Sequence, residues 1–304
     1  MSDRPAWSVV IPAWEASATI GACLRSLADQ VDAPSFEVIV VDSSAGDATR
    51  GAVAKFAAEL RGLEYRHLEE RAFPGKARNA GAEAARGDWL LFLDADIVAA
   101  NDLLASADRA LRESPAVVGG AIGLSGAPGV SARLRHLFEF KESLPGVPAR
   151  RTWQLPTACF AIARERFLAT GGFPDVRASE DWLFNWALWS AGEAMRFDPR
   201  LHVNHATADG WRDFARYARV LGHASGAARR AGGLPGQWLV RHPSLAWLLP
   251  PGRTARAVVW CARYSRQDLR LLLWSWPAYF ILAGIWAREF RRGVLGLPPP
   301  RPER

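Results

Sequence analysis

The chain has 304 residues, 49% of them hydrophobic and 23% charged, which excludes a disordered or collagen-like polypeptide and allows one large domain or two modest ones. Its three cysteines, Cys23, Cys159 and Cys261, are far apart and form no Cys-x-x-Cys pair. They read as free thiols in a reducing compartment, not as a disulfide framework or zinc site. The net charge of +7 hides an asymmetry: from residue 212 onward sixteen Arg face four acids, a net +12, while the first 211 residues carry 22 basic and 27 acidic groups, a net −5. Two parts with two jobs are expected.

The amino terminus, Met1-Ser2-Asp3-Arg4-Pro5, leads into a strand without an apolar leader, so this part is expected in the cytoplasm. Trp7-Ser8-Val9-Val10-Ile11 is a short apolar strand closed by Pro12. Ser17-Ala18-Thr19 is the expected cap of a helix whose apolar face is Ile20, Cys23, Leu24 and Leu27. Glu37–Val41 is a second buried strand, ending at Asp42-Ser43-Ser44. A helix over 48–60 and a third strand over 63–67 follow. The alternation predicts an α/β fold with a doubly wound, mostly parallel sheet. No Gly-x-Gly-x-x-Gly follows the first strand and no phosphate-cradling Gly-x-x-x-x-Gly-Lys-Ser/Thr loop occurs, so the common dinucleotide and P-loop readings are set aside.

Pro74-Gly75-Lys76-Ala77-Arg78-Asn79-Ala80-Gly81 opens a small-residue helix, with two cations near a helix start that suits a diphosphate. Trp89-Leu90-Leu91-Phe92-Leu93 is a strand buried on both faces, and it stops where Asp94-Ala95-Asp96 begins, because unpaired carboxylates do not stay in a core. Two acids at a strand's carboxyl end can hold a hard divalent cation, and the cation a diphosphate. Taken alone, the pair also fits a strand that ends in a polar turn.

These four stretches in order, Ile11–Glu15, Val41–Ser44, Gly75–Gly81 and Asp94–Asp96, resemble family-2 glycosyltransferases, inverting enzymes of the nucleotide-diphospho-sugar (GT-A) fold. Ser43 stands where that family often has a second acid. The resemblance covers roughly residues 7–208. It implies a catalytic domain over 1–208 and a basic, Trp-rich helical region over 209–304. Pro12, Ala13, Glu15, Asp42, Lys76, Arg78, Asn79, Asp94 and Glu180 are implied in substrate binding, with Ala13, Glu15 and Asp42 toward the nucleoside and Lys76 and Arg78 toward the diphosphate. Asp94 and Asp96 are implied as ligands of Mg²⁺ or Mn²⁺. The implied donor is a nucleotide-diphospho-sugar, foremost a UDP-sugar, and the implied acceptor a hydroxyl.

Further along, Asn101 is an expected helix cap, with a stop near Glu113-Ser114-Pro115, and 117–121 is an expected strand. Residues 122–150, with Pro128, Pro145, Pro148 and several glycines, read as a variable region over the site, which the resemblance implies on the acceptor side. A strand over 157–163 and a tight Gly171-Gly172-Phe173-Pro174 turn precede Ser179-Glu180-Asp181. In the family this turn and acid pair carry the catalytic base, so Asp181 is implied as the base that accepts the acceptor's proton. Alone, the pair equally suits a helix amino terminus. Leu201-His202-Val203-Asn204-His205 ends a strand, and His205 is either a third metal ligand or an ordinary hydrogen-bonded histidine.

The tail changes character. Arg212, Arg216, Arg219 and His223 recur at helical spacing beside Trp211, Phe214, Ala218 and Leu221, a basic amphipathic helix. Six of the fourteen Trp (238, 247, 260, 274, 276, 286) lie among Leu and Arg, which is interfacial chemistry, and no nucleic-acid motif appears. Residues 271–287 are uncharged for about 26 Å of helix, short for a span, with Pro277 an expected kink. The tail is therefore expected on an anionic membrane surface at the cytoplasmic face, attached peripherally or monotopically before a single span or a buried helix. A lipid-linked or cell-envelope acceptor follows from that tail alone. Two rivals stand beside the transferase reading: a nucleotidyltransferase, which commonly begins with a Gly-rich basic loop absent here, and a membrane-bound scaffold that keeps the fold without the chemistry.

Overall fold

The computed structural model describes residues 4–113 and 117–300. The expected helix stop at Ser114-Pro115 and the last part of the expected extended tail, Arg301-Pro302, lie outside the described residues. The elements β1 (Trp7–Ala13), α1 (Ile20–Ala28), β2 (Phe36–Asp42), α2 (Ala48–Ala54), β3 (Leu63–His67), α3 (Pro74–Ala84) and β4 (Trp89–Leu93) alternate as predicted. Then come β5 (Ile97–Ala99), α4 (Leu103–Glu113), β6 (Val117–Leu124), α5 (Val130–Phe140), β7 (Arg150–Arg151), β8 (Cys159–Ala163), α6 (Arg164–Ala169), α7 (Glu180–Ser190) and β9 (Met195–His205). The remainder is helical: α8 (Trp211–Arg230), α9 (Trp238–Arg241), α10 (Leu249–Tyr264), α11 (Arg266–Trp274) and α12 (Trp276–Val294), with 3₁₀ turns at Lys141–Ser143 and Pro243–Leu248. Two compact units result. The first is Met1–Ser125, Ser143–Val176 and Ala187–Ala206; the second is Gly126–Glu142, Arg177–Trp186 and Thr207–Arg304.

In the first unit the sheet order is β3-β2-β1-β4-β8-β6-β9-β5, with β7 paired to β9. Four ladders are parallel: β1 with β2 and β4, β2 with β3, and β6 with β9. Strands β8, β5 and β7 pair antiparallel to their neighbours. Strand β1 is buried on both faces, as the apolar run requires, and its one polar residue is satisfied: the Ser8 hydroxyl donates to Glu37 Oε1 (2.6 Å) and accepts from the Gly87 N–H (2.8 Å). Helix α3 packs on β1 and β2, α4 on β9 and α1 on β5. Under the β4 end lies an aromatic cluster in which Phe92 meets Phe167 at 5.0 Å and Phe173 at 5.3 Å between ring centroids.

Several local expectations shift. Thr19 stands at the α1 N-cap, but its hydroxyl donates back to Ala16 O (3.4 Å) instead of capping. Helix α2 ends at Ala54, and the chain reaches Leu60 through tight turns. Strand β9 runs through Pro199 as one piece, because β6 shifts register between Gly120 and Ala121, so its partner jumps from Asp198 to His202 and no ladder bond is asked of the proline. Within 122–150, where the sequence assigned no element, β6 extends to Leu124 and α5 forms.

In the second unit, α5 begins at a partner far along the chain. Asp209 accepts from the Ser131 hydroxyl and from the Ala132 N–H (3.2 Å), supplying the acceptor that a helix amino terminus needs. Helix α8 buries Phe214, Ala218, Gly222 and Gly226, a four-residue spacing, whereas Trp211 of the expected apolar face is 48% exposed. Its glycines meet the α12 backbone: a Cβ at Gly222 would lie 2.3 Å from Trp286 O, and one at Gly226 2.1 Å from Phe290 O. No single helix among the described residues is long and apolar enough to cross a membrane. The uncharged run 271–287 is not one segment: α11 and α12 meet at an 82° bend at Ser275. Pro277 is not the hinge. It sits in the first turn of α12, where a missing N–H costs no helical hydrogen bond.

Two glycines of this unit should respond with opposite signs. A Cβ at Gly226 has nowhere to go, so Gly226→Ala should destabilise by about 1–3 kcal/mol through forced separation of α8 and α12. At Gly284 a Cβ would meet no atom within 4 Å, so Gly284→Ala should stabilise by roughly 0.5–1 kcal/mol. Denaturant midpoints of the two variants against the parent check the pair.

Candidate functional site

Strands β1, β2 and β4 are parallel, so Ala13–Glu15, Asp42–Ser44 and Asp94–Asp96 all leave one end of the sheet. Reaching β9 takes two reversals. Strand β8 is antiparallel to β4, β6 is antiparallel to β8, and β9 runs parallel to β6. The carboxyl end of β9 therefore emerges where that of β4 does, bringing His205 to the two acids. Strand β5 closes the arrangement: Ile97 pairs with His205, and the Ala206 N–H donates to Asp96 O (2.8 Å).

One ligand atom each from Asp94, Asp96 and His205 lie within 4.8 Å of one another. His205 Nε2 is 3.4 Å from Asp96 Oδ1, and the imidazole is 8% exposed. Two carboxylates and one imidazole form a donor set that fits a hard or borderline divalent cation such as Mg²⁺ or Mn²⁺. Beneath them the Cys23 thiol donates to Asp94 O (3.7 Å). Burial, and then the nearby Asp96 and Asp94, push its pKa far up, so it stays a neutral thiol and is not a thiolate ligand. His202, one strand position out of phase with His205, is outside the cluster.

Helix α3 also supplies a support for the first of these acids. Arg78 is 3% exposed, and its Nη2 donates to Asp94 Oδ1 at 2.5 Å, with the guanidinium 5.7 Å from the Phe173 ring centroid. Its charge is committed first to Asp94. Asn79, the next residue, reaches the turn at Phe173. Its Nδ2 donates to Phe173 O (2.8 Å) and its Oδ1 accepts from the Phe173 N–H (2.9 Å), so both ends of the amide hold the turn. That turn carries Gly171 and Gly172 at φ of +79° and +75°, a region that favours glycine. Lys76 remains exposed at the helix start.

The expected nucleoside end is built on a buried acid. Asp42 is 0% exposed, and both of its carboxylate oxygens are engaged. Its Oδ1 accepts from the Ser44 N–H (2.9 Å) and hydroxyl (2.6 Å), and its Oδ2 from the Tyr65 hydroxyl (2.8 Å). Burial first, then this bond to Asp42, pushes the Tyr65 phenol up to about 12. The Ser44 hydroxyl in turn accepts from the Glu15 N–H (2.6 Å), which holds Glu15 at a φ of +50° with its side chain exposed. Pro12 is half-buried and Ala13 buried on the same strand end, opposite Val41 and Asp42. Trp14 is exposed, with the Arg71 guanidinium 3.9 Å over its ring. Ser44, Tyr65 and Arg71 were not expected from sequence. Only Ser44, two residues from Asp42, sits at a spacing that signals a local side-chain turn.

In the second unit Glu180 and Asp181 occupy the first turn of α7, preceded by Ser179 at a φ of +72°. Glu180 is 7% exposed and Asp181 half-buried, with Asp181 Oδ1 accepting from the Trp182 N–H (2.8 Å). Tyr217, absent from the sequence reading, lies near, with Glu139 and Arg135 beside it. The Tyr217 phenol is pushed well up by burial foremost, then by hydrogen-bonded Glu139, and to a smaller extent by Asp181, while the Arg135 guanidinium lies 4.2 Å over its ring. Glu139 is on α5, which was itself unforeseen.

Residues 8–171, over half of the chain, match the family described as Glycosyl transferase family 2. Among curated proteins, the chain is 37% identical over 98 residues to the uncharacterized glycosyltransferase YfnE of Bacillus subtilis (strain 168), 32% of this chain and 25% of that protein. It is 38% identical over 100 residues to the validoxylamine A glucosyltransferase of Streptomyces hygroscopicus subsp. limoneus, 32% of this chain and 22% of that protein. The match thus spans about a quarter of these relatives' length. Among solved structures, the mannosyltransferase PcManGT from Pyrobaculum calidifontis, in complex with GDP-Man and Mn²⁺, superposes with a TM-score of 0.62 at 21% identity, covering 97% of this chain and 87% of that one. S. aureus TarS 1-349 in complex with UDP-GlcNAc gives 0.54 at 19% identity, covering 95% and 90%. At such identities the likeness is one of fold, the α/β GT-A arrangement expected from the sequence. The motifs at the strand ends, the sheet that carries them and the match over 8–171 agree, and this chain belongs to glycosyl transferase family 2.

Proposed function

We propose that the chain transfers a sugar from a nucleotide-diphospho-sugar to a hydroxyl acceptor, with inversion at the anomeric carbon and a divalent cation, Mg²⁺ or Mn²⁺, as cofactor. The observation that carries the proposal is the convergence of Asp94, Asp96 and His205 at the sheet end where open α/β folds bind ligands. Membership of family 2 supports the reaction class. GDP-Man with Mn²⁺ in PcManGT and UDP-GlcNAc in TarS support the donor class, with a UDP-sugar as the first candidate.

Asp94, Asp96 and His205 would hold the cation, whose chemistry when bound is to neutralise charge on the leaving diphosphate. Arg78 orients Asp94 from behind through its charge-assisted hydrogen bond. Lys76, exposed at the start of α3, is the cation free to meet the diphosphate. The β1–β2 end receives the nucleoside through Glu15 and the main chain near Ala13, with Asp42 shaping that end through Ser44 and Tyr65. Asp181 takes the acceptor hydroxyl's proton as its oxygen bonds to the anomeric carbon, while the bond from that carbon to the diphosphate oxygen breaks. Attack opposite the leaving group inverts the centre. The same proposal sets the protein on the cytoplasmic face of a membrane, with a lipid-linked or cell-envelope acceptor, on the strength of its basic, Trp-rich tail.

Calorimetry with UDP-, GDP- and dTDP-sugars, with and without Mn²⁺, tests the donor half. One donor should bind in a metal-dependent way, and Asp96→Ala should weaken that binding by about tenfold or more. Donor binding indifferent to metal and to Asp96→Ala would remove the cation from the mechanism. Asp181→Asn tests the base: donor affinity should be retained while turnover falls by about 10²–10⁴-fold. Full turnover in that variant would take Asp181 out of its role.

A further inference from the structure

We infer that the outer face of α12's first half, with the end of α11, is a docking surface for an anionic lipid bilayer, lying in the plane of the leaflet without crossing it. This deepens the surface attachment proposed above and does not rest on the transfer chemistry. A helix packed on a globular unit normally turns polar residues to water. The first three turns of α12 do not. Tyr279, Leu282, Ala283 and Trp286 are buried in the unit, yet Trp276 (53% exposed) and Phe280 (39%), four residues apart, with Ile281 (62%), leave apolar side chains outside that buried side. The Trp276 and Phe280 rings sit 6.3 Å apart, and across the bend Leu273 (55%) and Trp274 (78%) continue the exposed apolar run. The 3₁₀ turn that packs against α12 adds Trp247 and Leu248, at 54% and 62% exposure.

The polarity of that outer side then reverses along the helix, where Arg288 and Arg291 are exposed. The apolar half of α12 is therefore about ten residues long, roughly 15 Å of helix, half a bilayer's hydrocarbon thickness. The 82° bend at Ser275 stops α11 from extending it. Length and bend together favour an in-plane element.

Charge decides the occupant. Between residues 238 and 300 there are nine Arg, no Lys and two acids. Both acids are engaged, Asp268 with Arg133 (3.1 Å) and Glu289 with Arg292 (3.1 Å). Seven of the arginines, at 241, 256, 263, 266, 270, 288 and 291, are exposed. A second copy of this chain would set like charges against each other, whereas an anionic leaflet complements them and takes the tryptophans at its interface.

The test is sedimentation of the full chain with vesicles of phosphatidylcholine alone or with phosphatidylglycerol, beside Trp274→Glu/Ile281→Glu and Arg266→Gln/Arg270→Gln. Thermal midpoints confirm folding of each, and calorimetric donor binding, expected unchanged, reports the first unit separately. The parent should pellet with the anionic vesicles and not with the neutral ones. The apolar variant should bind at least about tenfold more weakly and the arginine variant roughly thirty-fold more weakly, an effect that shrinks with added salt. Equal binding of parent and variants overturns the inference, as does equal binding to both vesicle types. So does a parent that ignores vesicles but forms a dimer that Trp274→Glu/Ile281→Glu dissolves. Failed vesicle binding with intact donor binding would remove the docking surface and leave the transfer reading standing.

Discussion

The first unit depends on a charge that cannot be left alone. Arg78 is almost wholly buried, and burying a guanidinium without a partner is far too costly for a marginally stable fold. Its partner is Asp94, the first acid after a strand buried on both faces. Removing Asp94 would take the carboxylate from a buried guanidinium, at a cost of about 3–5 kcal/mol. The pair therefore pins α3 to the end of β4 and sets where the first carboxylate points. Two neighbours on α3 act in the same sense. Asn79 clamps the turn at Phe173, and Gly81 lets the helix lie on β1, since a Cβ there would meet Val10 Cγ1 at 2.4 Å.

A similar logic runs through the other strand ends, where polar groups organise one another before any ligand arrives. Asp42 is saturated by Ser44 and Tyr65, and Ser44 passes the constraint to the Glu15 main chain. Such a chain of bonds in a low dielectric is rigid, because breaking one link leaves a buried polar atom unsatisfied. Preorganisation of this kind is what electrostatic catalysis and selective binding require of a scaffold.

The second unit is held by different means. Helices α8 and α12 touch at backbone distance through glycines, and Asp209 caps α5 from across the unit. Arg253 lies between Phe138 and Trp286, with its guanidinium 4.1 Å and 4.4 Å from the two ring centroids. A cation between two aromatic faces keeps part of the stabilisation that water would give it. With so much of α12 spent on inner contacts, an outer face that is also apolar needs its own explanation, and a lipid surface supplies one.

The sequence alone determined the strand–helix alternation, the places where the early strands stop and the tight glycine turn before α7. Each follows from local chemistry: β-branched and apolar runs bury themselves, and acids end β2 and β4, whereas β1 runs through Pro12, its expected stop, to Ala13. The Asp94/Asp96 pair was legible for the same reason, and so was a basic tail rich in Trp. Only the tertiary structure decided the rest. It carried His205 to those acids through two antiparallel reversals, drew Arg78, Asn79 and Asp42 into supporting bonds, and started α5 with an aspartate 78 residues away from Ser131. It also broke the uncharged run at Ser275 instead of Pro277. A side chain's partner across the sheet, or across a helix pair, is set by register and packing, and no local window of residues contains that information.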